Sequence, residues 1–187
     1  VTNAHGRLGL NSITVQTADG QEQIIRCGAL GVSGGWNPNV HMTCHQRGRP
    51  LWNPQLAAFC PGEELPHDML VAGAAQGDFS TAAALTKGSK AAVAALSNIG
   101  IAAADQPQPD TEDGAVNITP FWYVKSGSGR AWLDLQNDVT VKDIKLSHQE
   151  NFRSVEHLKR YTTLGMATDQ GKTSNMGGLA VMAELTG

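Results

Sequence analysis

Polar and apolar positions alternate over Ser12-Ile13-Thr14-Val15-Gln16, Asp19-Gly20 follows, and Gln23-Ile24-Ile25-Arg26-Cys27 returns. A period-two run, an Asp-Gly turn and a second run rich in isoleucine together predict a β-hairpin. A short apolar run, Ala29 to Val32, then leads into Ser33-Gly34-Gly35-Trp36-Asn37-Pro38, which reads as a buried strand delivering a tight backbone turn. Trp52, Asn53-Pro54 and Pro61-Gly62 carry turn chemistry. Met69 to Ala72 is a second short apolar strand, ending in Gly73-Ala74-Ala75-Gln76-Gly77-Asp78. An alanine-rich helix follows from Ser80 or Thr81 to about Leu96, with Lys87 and Lys90 on its wet face. Residues 104–119 hold Asp105, Pro107, Pro109, Asp110, Glu112, Asp113 and Gly114 with almost nothing apolar, the pattern of a linker.

The pattern changes after the linker. Phe121 to Val124 and Ala131 to Leu135 flank a glycine-bearing turn and read as a second hairpin. Thr140 caps a short helix to about Glu150, Ser154 caps another to about Tyr161, and a last helix starts after Thr173 or Ser174 and runs through Leu185. Together the elements indicate an α/β chain, α+β overall, divided into residues 1–104, a linker at 105–119, and a small domain at 120–187.

Composition narrows the chemistry. With 14 basic and 17 acidic side chains in 187 residues, no basic surface argues for nucleic acid. The most apolar run, Ala91 to Ala104, is broken by Ser97, Asn98 and Gly100, so no membrane span is expected. Cys27, Cys44 and Cys60 are odd in number and widely spaced, which suits reduced thiols in a cytoplasmic protein. Cys44-His45 lacks the partner ligand pair that a metal site needs. His41, His45, His67, His148 and His157 are scattered, and no paired-carboxylate or nucleophile set accompanies them, so no catalytic residue is assigned.

Two stretches could hold a ligand. The strand, glycine turn and helix start around 69–81 would aim backbone N–H groups and a helix dipole at a phosphate or ribose; an ordinary strand-to-helix turn reads the same way. Gly171-Lys172-Thr173 looks like the end of a P-loop, but Gly165 and Gly171 enclose five residues where that motif needs four, and a capped helical run precedes them. A nucleotide hydrolase is set aside on that spacing.

Three long strings then become informative: 134–144 (Asp134 to Ile144), 152–166 (Phe152 to Met166) and 168–175 (Thr168 to Asn175). They resemble the alpha subunit of heterotetrameric sarcosine oxidase. Val32 to Pro38 resembles that family's version of the A-T-G-x-x-P turn of two-dinucleotide-binding flavoproteins, and Pro61-Gly62-Glu63 with Val71 to Gly77 resembles the second signature of that fold. The resemblance covers essentially the whole chain and implies an internal fragment of a longer polypeptide: the latter part of an NAD/FAD-type dinucleotide-binding region, then a small domain of the bacterioferritin-associated ferredoxin type. The usual Gly-Asp of the second signature is here Gly73-Ala74, which lacks the carboxylate that holds a flavin ribityl chain and suits the NAD of the family's alpha subunit. By resemblance Ala74, Phe79 and Thr81 lie against that NAD. The small domain carries Asp134-Leu135-Gln136 and Thr168 to Gly171 where its type has C-x-C and C-x-x-C. Thiolates are required for an iron–sulfur cluster, so no cluster is expected in this segment.

The family's FMN lies between alpha and beta subunits. The expectation is that Gly171, Lys172, Thr173 and Ser174 contact its phosphate or ribityl chain, with Lys159 and Arg160 nearby. The resemblance implies an oxidase that demethylates sarcosine to glycine, passes the one-carbon unit to tetrahydrofolate and forms hydrogen peroxide. FAD and folate would be held elsewhere in a complex with beta, gamma and delta subunits. Two alternatives stay open: the alpha chain of a related amine or proline dehydrogenase, and a non-catalytic subunit-assembly module.

Overall fold

A computed structural model describes every residue except Ser33, Gly34, Asn117 and Ser128. The chain forms two compact units, one built from residues 1–32 and 121–187 and the other from residues 33–120. The fold is mixed α and β, with small antiparallel sheets and helices in both units.

In the first unit, β1 (Asn3–His5), β2 (Ser12–Gln16) and β3 (Glu22–Arg26) form an antiparallel sheet in the order β1-β2-β3. The Asp-Gly turn closes the β2–β3 hairpin as its sequence indicates, with Ile13 opposite Ile25 and Gln16 opposite Glu22. Ile13 and Thr14 are buried, whereas every residue of β3 is exposed. The second hairpin is tighter than its hydrophobic pattern suggests. Phe121 to Val124 forms no strand; the pairing is β6 (Trp132–Asp134) with β7 (Val139–Thr140), closed by the turn 135–138. A local turn closes this pairing, and Phe121 is left 67% exposed.

Helix α2 (Val141–Gln149) starts directly from β7. The Asp143 carboxylate accepts from both the N–H and the hydroxyl of Thr140 at 2.7 Å, so a residue in the first turn fastens the residue before it. Helices α3 (Val155–Thr162) and α4 (Asn175–Thr186) complete the unit. Val139, Val141, Ile144, Leu158, Leu164, Val181 and Met182 form its core, with Tyr123, Ala131, Leu133 and Leu185 packed against them. Gly178 lets α4 come close to Leu164: a Cβ there would lie 2.3 Å from Leu164 Cδ2.

The second unit holds the hairpin of β4 (Leu51–Asn53) and β5 (Ala58–Cys60), 3₁₀ turns at His41–Arg47 and Gly73–Gln76, and helix α1 (Thr81–Asn98). The Asn53 side chain accepts from the N–H groups of Gln55 and Leu56, which sets the hairpin turn. Two expected strands are not formed. Ala29 to Val32, in the first unit, and Met69 to Ala72, in the second, belong to no strand, and Val32 is 84% exposed. An apolar run becomes a strand only where another strand offers its edge. The Ser33-Gly34 part of the first expected turn lies outside the described residues.

Candidate functional site

Two places carry the residues singled out by sequence, one in each unit. In the first unit the segment 163–175 is a tight, glycine-turned loop between α3 and α4. Thr163, Gly165 and Gly171 all sit at positive φ (62°, 66° and 78°), where glycine is the residue without a steric penalty. The Asn175 side chain is lodged between the two glycines: a Cβ at Gly165 or Gly171 would lie 2.1 or 2.2 Å from its amide atoms.

Two aspartates hold this loop. Asp134, at the end of β6, is 2% exposed. One of its oxygens accepts from the N–H groups of Gln136 and Asn137 at 2.9 and 3.3 Å, and the other from Gly165 N–H at 2.9 Å and the Ser174 hydroxyl at 3.4 Å. Asp169 accepts from Gly171 N–H and Thr173 N–H, each at 3.1 Å, and from the Thr173 hydroxyl. These bonds, the Thr173 hydroxyl first, hold the Asp169 carboxyl below its ordinary range. Thr168 donates to the Gln136 side chain at 3.0 Å, so the end of β6 and the loop are joined directly.

The four residues expected at an FMN are therefore adjacent but unequal. Ser174 and Gly171 are buried, and the Ser174 hydroxyl is turned inward to Asp134 and does not cap α4. Lys172 and Thr173 are exposed. Among the described residues no carboxylate pairs with Lys172. An internal carboxylate fills the anion position of the turn, so the group this loop offers outward is the Lys172 ammonium. The donors where β6 meets the loop are carboxylate, amide and hydroxyl, which do not fit an iron–sulfur cluster. Two concavities of about 280 and 200 Å³ in the same unit are lined by other residues, among them Trp122, Tyr123 and Trp132 in the larger and Asn137, Asp143 and Tyr161 in the smaller.

In the second unit, Ala74 sits in the 3₁₀ turn Gly73–Gln76 and is exposed, Phe79 is half-buried, and Thr81 is the first residue of α1. Gly77 at φ 94° ends the 3₁₀ turn, and Ser80 caps α1 by accepting from Ala83 N–H at 3.1 Å. The remaining first-turn donors converge on one carboxylate: Thr81 N–H and Ala82 N–H donate to the two oxygens of Asp113 at 2.7 and 2.6 Å. These N–H groups, that of Ala82 first, hold the Asp113 carboxyl below its ordinary range. The helix start thus accepts an anion in the bidentate manner expected of such a terminus, and the anion it holds is part of the chain. Behind it Lys87 pairs with Asp78 at 2.6 Å, and burial with the nearby Asp78 charge pushes the Cys60 thiol up.

Asp134, Asp169 and Asp113 escape a reading of the sequence for ligand contacts. Asp169-Gln170-Gly171 has the form of an Asx turn and signals its role locally. Asp113 gives no such signal, because its partners lie 31 and 32 residues away.

Known proteins resemble this chain in sequence and in fold. Residues 128–187 match the family model of the sarcosine oxidase A3 domain. The whole chain is 35% identical to the sarcosine oxidase subunit alpha of Rhizobium meliloti (strain 1021), covering 19% of that protein. It is 34% identical to the same subunit of Corynebacterium sp. (strain U-96), covering 20% of it. The subunit of Corynebacterium sp. (strain P-1) is 35% identical over 90% of the chain. The chain spans about a fifth of the length of these relatives. Among solved structures, L-proline dehydrogenase from P. horikoshii shares the fold, with a TM-score of 0.68 at 18% identity over 98% of this chain and 38% of the other.

Proposed function

Since the chain matches sarcosine oxidase alpha subunits along its length and carries an A3 domain match at residues 128–187, we propose that it serves as part of the alpha subunit of such an oxidase. The reaction is oxidative demethylation of sarcosine to glycine, with the one-carbon unit passed to tetrahydrofolate and hydrogen peroxide formed. The observation that carries this reading is the identity of about a third maintained over the whole chain in relatives bearing that name. The likeness to L-proline dehydrogenase is one of fold and carries no substrate.

Within that enzyme the segment holds cofactors and contributes no catalytic group. Residues 1–104 belong to the dinucleotide-binding part, 105–119 connect, and 120–187 form the small domain. Ala74, Phe79 and Thr81 face NAD; the support is the pair of first-turn N–H groups that already hold a carboxylate bidentately, as they would a phosphate. Bound there, the dinucleotide would be held by backbone donors and by the Phe79 ring, with no carboxylate at Ala74 to engage a ribityl chain.

The loop 171–174 faces FMN at a contact with the beta subunit. Gly171 and Ser174 frame the loop, while Lys172 and Thr173 are the groups a ligand can reach. Lys172 supplies a point charge toward a phosphate. FAD and folate sites, the gamma and delta subunits, and a cytoplasmic setting complete the proposal. The free thiols of Cys27, Cys44 and Cys60 agree with a reducing compartment. The test is Lys172→Ala in the assembled enzyme. FMN content and sarcosine-dependent peroxide formation should both fall, and unchanged values for both would remove the loop from the FMN site.

A further inference from the structure

We propose that the acidic segment 104–119 is an autoinhibitory strap, and that Asp113 is an internal competitor for the dinucleotide at the start of α1; the inference rests on the NAD reading of Thr81. The geometry is specific. An α-helix begins with unsatisfied N–H donors, and those of α1 are all taken. Ser80, next to the helix in sequence, accepts from Ala83 N–H. The N–H groups of Thr81 and Ala82 go to Asp113, which arrives from beyond the far end of the helix. The Thr111 hydroxyl braces the same carboxylate at 3.1 Å, and Ser89 on α1 approaches Asp105 at 3.5 Å, so the segment touches the helix at two levels.

An ordinary cap is local; this one is brought by a segment whose described residues form no helix or strand and are nearly all exposed. Such a segment is held by few contacts and can leave without disturbing the helix. While Asp113 is seated, its negative charge and its two hydrogen bonds exclude a phosphate from the same donors. A dinucleotide phosphate binding at Thr81 must therefore displace Asp113, and the apparent affinity is reduced by the fraction of molecules in which the strap is seated.

The experiment measures NAD binding to the assembled protein by calorimetry for wild type, Asp113→Ala and the isosteric Asp113→Asn, with limited proteolysis of the strap alongside. A strap seated in nine molecules of ten makes the Ala variant bind NAD about tenfold more tightly, and the Asn variant should shift the same way by less. NAD should also speed cleavage within 104–119 in the wild type, a change that a purely structural cap would not show. Equal or weaker binding by both variants, or protection of the strap by NAD, overturns the inference while leaving the nucleotide site in place. Absence of NAD binding in all three proteins overturns both.

Discussion

Asp134 is the residue on which the most backbone depends. Its two oxygens accept from three N–H groups and one hydroxyl in a fully enclosed position. Asp134→Ala leaves those donors without partners, and urea unfolding should show a loss of about 3 kcal/mol, in keeping with the cost of stranded buried polar groups. Asp169 belongs to the same loop but is only half-buried and accepts from Gly171 and Thr173 within that loop, so its effect is local. A carboxyl held below its ordinary value contributes stability above the unfolded pKa and loses it as pH falls through the folded one. Amide exchange at Gly171 and Thr173, corrected for intrinsic rates, should therefore accelerate once pH drops below the usual aspartate range. Asp169→Asn should remove that dependence. The Asx turn at Asp169 was readable in the sequence. The part played by Asp134 was not, since resemblance marked its position only as one where relatives of the small domain carry a cysteine.

Among the elements, two helical glycines should respond to alanine with opposite sign. Gly88 lies in the interior of α1 with open space where a Cβ would be. Gly88→Ala should stabilise by about 1 kcal/mol through helix propensity alone. Gly178 in α4 faces Leu164, so Gly178→Ala forces the two elements apart and should cost about 1–3 kcal/mol. Thermal midpoints of both variants against wild type check the pair. The helices themselves were legible: Ser80, Thr140, Ser154 and Ser174 each precede the helix their pattern announced. Caps and periodicity are local, which is why they can be read. Strand pairing is not local, and there the apolar runs at Ala29 to Val32 and Met69 to Ala72 misled. The hairpin β6–β7 was displaced from its expected partner because the turn 135–138 closes it sooner than Phe121 to Val124 could.

On the scale of the whole chain, residues 1–32 and 121–187 form one compact unit although 88 residues separate them. The Ser126 hydroxyl donates to Thr2 C=O at 3.0 Å, one of the ties across that gap. Cleavage anywhere within 104–119 should therefore leave two fragments that elute together on gel filtration and part only in denaturant. Fragments that separate under native conditions would show that the two ends do not hold each other. No run of neighbouring residues encodes such a grouping, which is why the linear division at 104 and 119 follows the chain and not the units.

The outermost strand β3 carries a liability of a different kind. Glu22 to Arg26 is the last strand of its sheet among the described residues, exposed on both faces, with Ile24 67% and Ile25 41% exposed. One row of its peptide groups faces away from β2, and a second molecule can satisfy that row by laying its own β3 alongside. Glu22 and Arg26 bracket the apolar pair as gatekeeping charges, yet between them the edge is sticky. Handled alone at high concentration, the chain should gel or precipitate through edge-to-edge strand addition, and Ile24→Lys should restore a clear solution by light scattering.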